Sequence, residues 1–323
     1  MVKYALRRIL NAIPILLGIT IISFAIIHLA PGSPLSQYIE DPTITALDKE
    51  NMIKAYGLDK PLPTQYWEWL TGMLQGDFGI SYMKNEPVLK IVIDRLPTTL
   101  LLTVTSFIIS MLIAIPLGII CALKENSKFD RIVSGISFTG ISVPGFWLAL
   151  ILLMVFGVKL GWLPTGGLQS ISGSTGFWDR VHHMIMPISV MVFAEVAIWL
   201  RYIRSSMLEV IHQDYMRTAK SKGLLPGRIL GIHGMRNALV PLATLLGLAV
   251  PGFVAGSLIL ENIFSIPGMG ALFRDAAFQR DYPVIFAITT LGAVLTVAGN
   301  IFADISYAFL DPRVSLSKQE VKG

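Results

Sequence analysis

Cysteine is almost missing from this chain. Cys121 is the only one among 323 residues, and it lies inside an apolar run. No internal disulfide can form, and a lone thiol makes no metal site, so Cys121 reads as a small buried side chain. Charge is also scarce. Asp, Glu, Lys and Arg make up 15% of the chain, against about 25% in an average soluble domain. No G-x-x-x-x-G-K-[ST] occurs, which excludes nucleotide binding through a P-loop. H-E-x-x-H, C-x-x-C and G-x-S-x-G are missing too, so neither a zinc site nor a hydrolase nucleophile is assembled here. His182 and His183 are adjacent. On a helix they point about 100° apart, a poor metal pair, and they read as polar residues at the end of a span. No metal, cofactor or catalytic residue is expected in this chain. There is no repeat of about 20–50 residues and no low-complexity tract.

What the chain does have is apolar length, with 53% of its residues hydrophobic. Six runs approach the ~20 residues that cross a bilayer: Ile9 to Ala30, Thr98 to Leu123, Ile132 to Phe156, Met184 to Leu200, Leu239 to Leu260 and Val284 to Leu310. The fourth is the shortest and carries Glu195. Helices are the expected form, because lipid offers no partner to backbone N–H and C=O groups. The first run is too long for a signal-peptide core and lacks a small-residue cleavage site. Pro14, Pro116, Pro144, Pro187 and Pro251 sit in or at the ends of these runs, where they can kink or hinge a helix.

Charge orients the spans. The termini and the alternate connections, among them Arg201 to Arg236, carry sixteen basic and six acidic residues. The opposite connections carry ten basic and thirteen acidic. The basic set is expected in the cytoplasm, with both termini inside. Two acids, Glu195 and Asp304, fall within spans. Such residues face protein or water, either as proton or substrate contacts or as ties between helices.

Two polar pieces remain. The outer one, 31–97, is long enough to have its own structure. In it Tyr66, Trp69, Leu70, Met73 and Leu74 fall on one helical face behind Pro63, which predicts a short helix packed on the outer mouth. The inner one, 201–236, contains D-Y-M-R-T-A-K-S-K-G-L, from Asp214 to Leu224, followed by a Leu225-Pro226-Gly227 stop. Asp214 is a candidate N-cap for a helix about 15–17 Å long. Ala219 and Gly223 are four apart and would share a face that another surface can approach closely. Arg217, Lys220 and Lys222 flank that face with charge. A basic helix can also rest on anionic lipid, but this one is rich in small residues rather than apolar ones, which suits a protein groove better.

Arg217-Thr218-Ala219, Gly223 and Ala238-Leu239-Val240-Pro241 resemble the Glu-Ala-Ala…Gly…Leu-Pro loop of ABC importer permeases. Arg217 replaces the acid and the Gly-to-Pro spacing is longer, as in the peptide/nickel branch. Further matches follow in order along nearly the whole chain. Among them are Ala30-Pro31-Gly32, Tyr56 to Pro63, Gly76-Asp77-Phe78-Gly79, Arg95 to Thr99, Ile141 to Pro144, Lys159 to Pro164, Phe264 to Gly270, and Leu310 to Arg313. The chain resembles the first of the two permeases in dipeptide/oligopeptide importers.

That resemblance implies an all-α integral membrane protein of the type I ABC importer permease fold, with six transmembrane helices and a short helical extracytoplasmic extension. It divides the chain into a cytoplasmic N-terminus and first helix (1–30), the extension (31–97), the permease core (98–310) with its coupling loop (201–236), and a cytoplasmic tail (311–323) in a prokaryotic plasma membrane. It implies a second homologous permease, two cytoplasmic ATPase subunits that bind the ATP and Mg, and an extracytoplasmic solute-binding protein that delivers a peptide-like solute. The coupling helix would be Asp214 to Leu224, with Asp214, Tyr215, Arg217, Thr218, Ala219, Lys220, Gly223 and Leu224 facing an ATPase subunit. The rival reading is an ion-coupled secondary transporter working through Glu195 and Asp304. A receptor would use 31–97 for a ligand and 201–236 for signalling, and a membrane enzyme lacks any assembled nucleophile or metal set.

Overall fold

A computed structural model describes residues 2–29, 34, 44–170, 176–223 and 240–310, with isolated positions between 225 and 238. In chain order its helices are α1 (Val2–Leu29), α2 (Ala46–Ala55), α3 (Leu62–Leu74), α4 (Val88–Leu123), α5 (Lys128–Ser142), α6 (Gly145–Leu152), α7 (Phe177–Ile211), α8 (Asp214–Ser221), α9 (Val240–Ala255), α10 (Leu258–Ile263), α11 (Met269–Gln279) and α12 (Tyr282–Leu310). A π-helical turn, Leu153–Lys159, extends α6. Among the described residues, extended pairing is limited to one antiparallel bridge between Ile80 and Pro87.

Among the described residues five helical segments are long and apolar enough to span a membrane, and a bent pair of helices makes a sixth candidate. The third expected span is not one rod. α5 and the α6 segment meet at an angle of 96°. The break follows from Val143-Pro144: a residue before proline is pushed out of the α region, and Val143 is extended at φ −81°, ψ 121°. Two other boundaries differ from expectation. α4 begins at Val88, ten residues before Thr98, and runs through both Pro97 and Pro116. α7 is 35 residues long, so the span expected to be shortest continues well past its apolar centre at both ends. Polar residues there, from Asp179 to Arg204, find partners on neighbouring helices and on the Trp162 and Ser170 segment.

The helices pair closely where side chains are small, because lipid supplies no hydrophobic force between them and backbone proximity must. α4 runs along α7, and α9 runs along α12. Gly118 of α4 lies under Ile203 of α7, where an added Cβ would sit 2.8 Å from Ile203 Cγ2. Gly247 of α9 meets Ala303 of α12, where an added Cβ would be 2.6 Å from the alanine Cβ.

The segment 44–87 folds against the ends of α1 and α12. α3 starts after Pro61, with Pro63 in its first turn, as expected. Tyr66 shares a 2.9 Å hydrogen bond with the Thr20 hydroxyl of α1, and Trp69 packs on Phe286 of α12 with ring centroids 5.1 Å apart. Leu70 is buried, but Leu74 is 75% exposed and lies outside the packed face. α2 carries a reciprocal cap: Thr45 Oγ1 accepts from the Asp48 N–H while the Asp48 carboxylate accepts from the Thr45 N–H, each at 3.2 Å.

Candidate functional site

The basic segment is a short spur on the end of α7. α7 stops at Ile211, the chain turns at His212 and Gln213, and α8 runs eight residues, about 12 Å at the helical rise. Two expectations change here. Gln213, not Asp214, occupies the N-cap; Asp214 lies in the first turn, where its charge favours the helix N-terminus. The helix ends at Ser221, and Gly223 follows in the left-handed region at φ +72°, so Ala219 and Gly223 share no helical face. Ala219 is only 8% exposed and, with Met216, packs inward on Val210 of α7. A small residue here lets α8 approach its own chain. The outward face is polar and basic: Tyr215, Arg217, Thr218 and Lys220 are exposed, with Lys222 and Gly223 just beyond the helix. Leu224 lies outside the described residues.

Ten residues before α8, α7 is clamped to α5. Arg204 Nε donates to Asp130 Oδ1 and its Nη2 to Asp130 Oδ2, both at 2.7 Å. Asp130 is 3% exposed. It also accepts from the Asn126 N–H at 3.0 Å and from Ser134 Oγ at 3.3 Å. A carboxylate can accept about four such bonds, and this one is nearly saturated. Three residues earlier on α7, Arg201 lies over the Phe138 ring of α5 at 5.3 Å. A cavity of about 790 Å3 opens beside these two arginines between the helices.

Of the two interior acids expected, Glu195 accepts from Ser110 Oγ of α4 at 2.8 Å and so ties α7 to α4. The Asp304 side chain lies outside the described residues. Among the described residues the most enclosed acid is one that sequence reasoning missed. Glu261, in α10, is 0% exposed. Its Oε2 accepts from the Ala271 N–H at 2.9 Å and its Oε1 from Thr99 Oγ1 at 3.0 Å, while the same Thr99 oxygen accepts from the Met269 N–H at 2.7 Å. Glu261 and Thr99 thus cap the N-terminus of α11 from outside, satisfying donors that its own cap, Gly268, cannot reach. Gly268 is required by the closeness: an added Cβ would sit 2.5 Å from Thr99 Oγ1. Glu261 was missed because the apolar run ends at Leu260, which placed it among outer charges. The available signal was an acid one residue past a span, a few residues before a glycine-led helix.

Asp281 does a similar task at the start of α12. It precedes α12, yet its carboxylate accepts from Ser81 Oγ and from the Tyr82 N–H at 3.1 Å, pinning the 77–87 loop to α12. Burial, and then the Asp281 charge, push the Tyr82 phenol well above its ordinary range.

Two family models cover the chain. Residues 114–316 match "Binding-protein-dependent transport system inner membrane component", and residues 1–103 match its N-terminal companion. The chain belongs to this family. The inner membrane component is 49% identical to the oligopeptide transport system permease protein AppB of Bacillus subtilis over 97% of its own length and 99% of the relative's. It is 37% identical to the oligopeptide transport system permease protein OppB of Haemophilus influenzae, again over 97% and 99% of the two chains. The same figures, 37% over 97% and 99%, hold for the glutathione transport system permease protein GsiC of Salmonella typhimurium.

As a family member the chain is a multi-pass inner membrane permease, a subunit of an ABC importer and not an enzyme. No finding favours an ion-coupled mechanism. The remaining chemistry-bearing residues have local partners: His183 Nδ1 donates to the Asp179 carbonyl at 2.9 Å, the His182 ring nitrogen meets the Trp162 carbonyl at 2.9 Å, and Cys121 is fully buried. Among the described residues no three possible ligands converge on a metal site.

Proposed function

We propose that this permease pairs with a second homologous permease to form one pathway for peptides, and that α8 is the coupling helix that docks on one of two cytoplasmic ATPase subunits. The supporting observation is the build of the spur. Met216 and Ala219 bind α8 to α7, while Tyr215, Arg217, Thr218 and Lys220 face outward. A helix packed on a span on one side and exposed on the other can carry a push from a partner into the membrane. The push requires a partner groove whose position differs between nucleotide states. ATP and Mg belong to those partners. An extracytoplasmic binding protein delivers the solute, and both termini lie in the cytoplasm, as the charge asymmetry supports. Peptides are the proposed solute class because relatives of nearly full length carry oligopeptide and glutathione permease names.

The test is affinity purification from the native membrane with the partners identified. Two ATPase chains and a second permease are expected, with Lys220→Cys forming a disulfide to a cysteine placed in the ATPase groove. Recovery of the chain alone, in a form that still transports solute, would overturn the reading.

A further inference from the structure

α7 has two unlike faces. Val190, Ala197, Leu200, Ile203 and Met207 are buried against the rest of the chain. Opposite them Glu195, Ile198, Tyr202, Ser205 and Glu209 recur at i, i+3, i+7, i+10 and i+14, one stripe on a helix. Ile198 and Tyr202 are 49% and 47% exposed. The cavity between α5 and α7 lies over this stripe from Glu209 to Ile198. Glu195 stands about one turn beyond, inside the apolar run, and is only partly exposed. A carboxylate at that depth faces water or protein rather than lipid. The exposed surfaces of α1 and α4 keep to that rule with Leu10, Leu17 and Ile21 on one and Ile108 and Leu112 on the other.

Glu195 also differs from the other enclosed acids in what holds it. Asp130 has an arginine fork, a backbone N–H and a serine, and Glu261 has a backbone N–H and a threonine. Glu195 has serine hydroxyls alone: Ser110 at 2.8 Å, with Ser106 beside it. Each hydroxyl carries one proton, and each also bonds a carbonyl of α4, Ser106 O at 2.7 Å and Thr103 O at 2.9 Å. The carboxylate is therefore placed by α4 with acceptor sites to spare. Among the described residues no lysine, arginine or histidine pairs with it. No three possible metal ligands converge there either.

We propose that this stripe is the chain's wall of the solute pathway, and that Glu195 is the point on it that meets an ammonium of the passing peptide. The inference rests on the peptide-permease reading and deepens it by naming a residue that discriminates among solutes. A basic side chain of the second permease could bring the same charge. The solute is the occupant chosen because the stripe beside Glu195 is not built for a lasting helix contact. Close helix pairs in this chain meet at Gly118 and Gly247, whereas Ile198 and Tyr202 stand half exposed under an open cavity.

The test uses the transporter assembled with its co-purifying subunits in proteoliposomes. Glu195→Cys and Tyr202→Cys are treated with a membrane-impermeant trimethylammonium thiol reagent; the native Cys121 is fully buried. Both are expected to react about tenfold faster or more than Leu112→Cys, because a thiol in lipid stays protonated and unreachable. Uptake is then compared for trialanine against N-acetyl-trialanine, and for Ala-Lys-Ala against Ala-Met-Ala. The binding protein is the same throughout, so its own preference cancels between variants. Glu195→Gln should lower one of the two uptake ratios about tenfold, as loss of a charged hydrogen bond does, and Glu195→Asp should keep most of it. A fall in the first ratio assigns the ammonium to the amino end, and a fall in the second to a lysine side chain. Both ratios unchanged in Glu195→Gln, or all three cysteines equally unreactive, overturns the proposal. Failure of Glu195→Gln to recover the second permease, where Glu195→Asp recovers it, gives Glu195 to a cation of that permease and overturns it too. ATPase subunits present with an unreactive stripe sink this inference alone, and their absence sinks the reading beneath it.

Discussion

Arg204 reaches across from α7 to hold both carboxylate oxygens of Asp130 at 2.7 Å, in the first turn of α5 and ten residues before the spur begins. α8 packs on α7 through Met216, Ala219 and Val210, and the clamp ties α7 to α5. α5 in turn leads into the 96° break at Val143-Pro144. The chain therefore joins α8, α7 and α5 at one end and bends farther along the third span.

Breaking that clamp should be costly from either side. Removing one partner of a buried ion pair leaves the other charge unpaired, at about 3–5 kcal/mol, and Asp130 is the more enclosed of the two. Asp130→Ala and Arg204→Ala should each lower the thermal unfolding midpoint and cut ATP-driven uptake. The exchange Asp130→Arg with Arg204→Asp should restore part of both. Uptake at the wild-type level in both single variants would mean that the clamp carries neither stability nor motion.

Glu261 makes a prediction of a different kind, because it holds backbone rather than another charge. Glu261→Gln keeps the shape but leaves one amide nitrogen facing a donor, from either Ala271 N–H or Thr99 Oγ1. The expected loss is about 1–3 kcal/mol, that of one buried group without a partner, and Glu261→Ala should lose more. Amide hydrogen exchange should localise the effect to the first turn of α11. An unchanged exchange pattern in Glu261→Gln would show that the cap is dispensable.

How far the sequence revealed these features depends on the scale of the pattern that encodes each one. The six spans are averages over about twenty residues, and apolar runs report them well. The α3 face was visible because Tyr66, Trp69 and Leu70 repeat at helical spacing. The α8 spur was visible as a polar island, but its end and orientation were not, because Gly223 could equally continue or terminate a helix and burial of Ala219 depends on Val210. Asp130–Arg204, Thr99–Glu261 and Ser81–Asp281 join residues 74, 162 and 200 positions apart. No local pattern marks such pairs. They exist because helices brought together by apolar packing must satisfy the polar groups that packing buries.

Tyr82 should show the outer knot in a pH titration. Its phenol is pushed up by burial and by Asp281, then by Tyr56 and Tyr282. A folded-state value above the unfolded one means that the neutral phenol is the form that folding prefers. Its contribution is complete below about pH 10, the ordinary tyrosine value, and is lost as the pH climbs from there toward the raised value. Tyr82→Phe, which has nothing to ionise, should flatten the loss of stability between about pH 10 and 11.5. Phenolate absorbance near 295 nm in the folded protein should lag that of the denatured chain over that range, and by less in Tyr82→Phe. A Tyr82 that titrates normally would place the ring in water, screened from the Asp281 charge.

Gly223 separates backbone strain from docking at the spur. Its φ of +72° lies where an ordinary side chain costs about 1–2 kcal/mol, while asparagine is tolerated. Among the described residues an added Cβ meets nothing within 4 Å, so backbone strain is the objection there to a larger residue. Gly223→Asn should therefore insert, fold and transport close to the wild-type level. Gly223→Arg should insert to the same extent yet lose ATP-driven uptake, because the long cation stands between α8 and the proposed ATPase groove. The paired measurements are uptake into proteoliposomes and disulfide trapping from Lys220→Cys to the ATPase subunit. Loss of uptake with trapping intact would assign the defect to strain in the loop beyond α8. Wild-type uptake in Gly223→Arg would remove the spur from the coupling surface altogether.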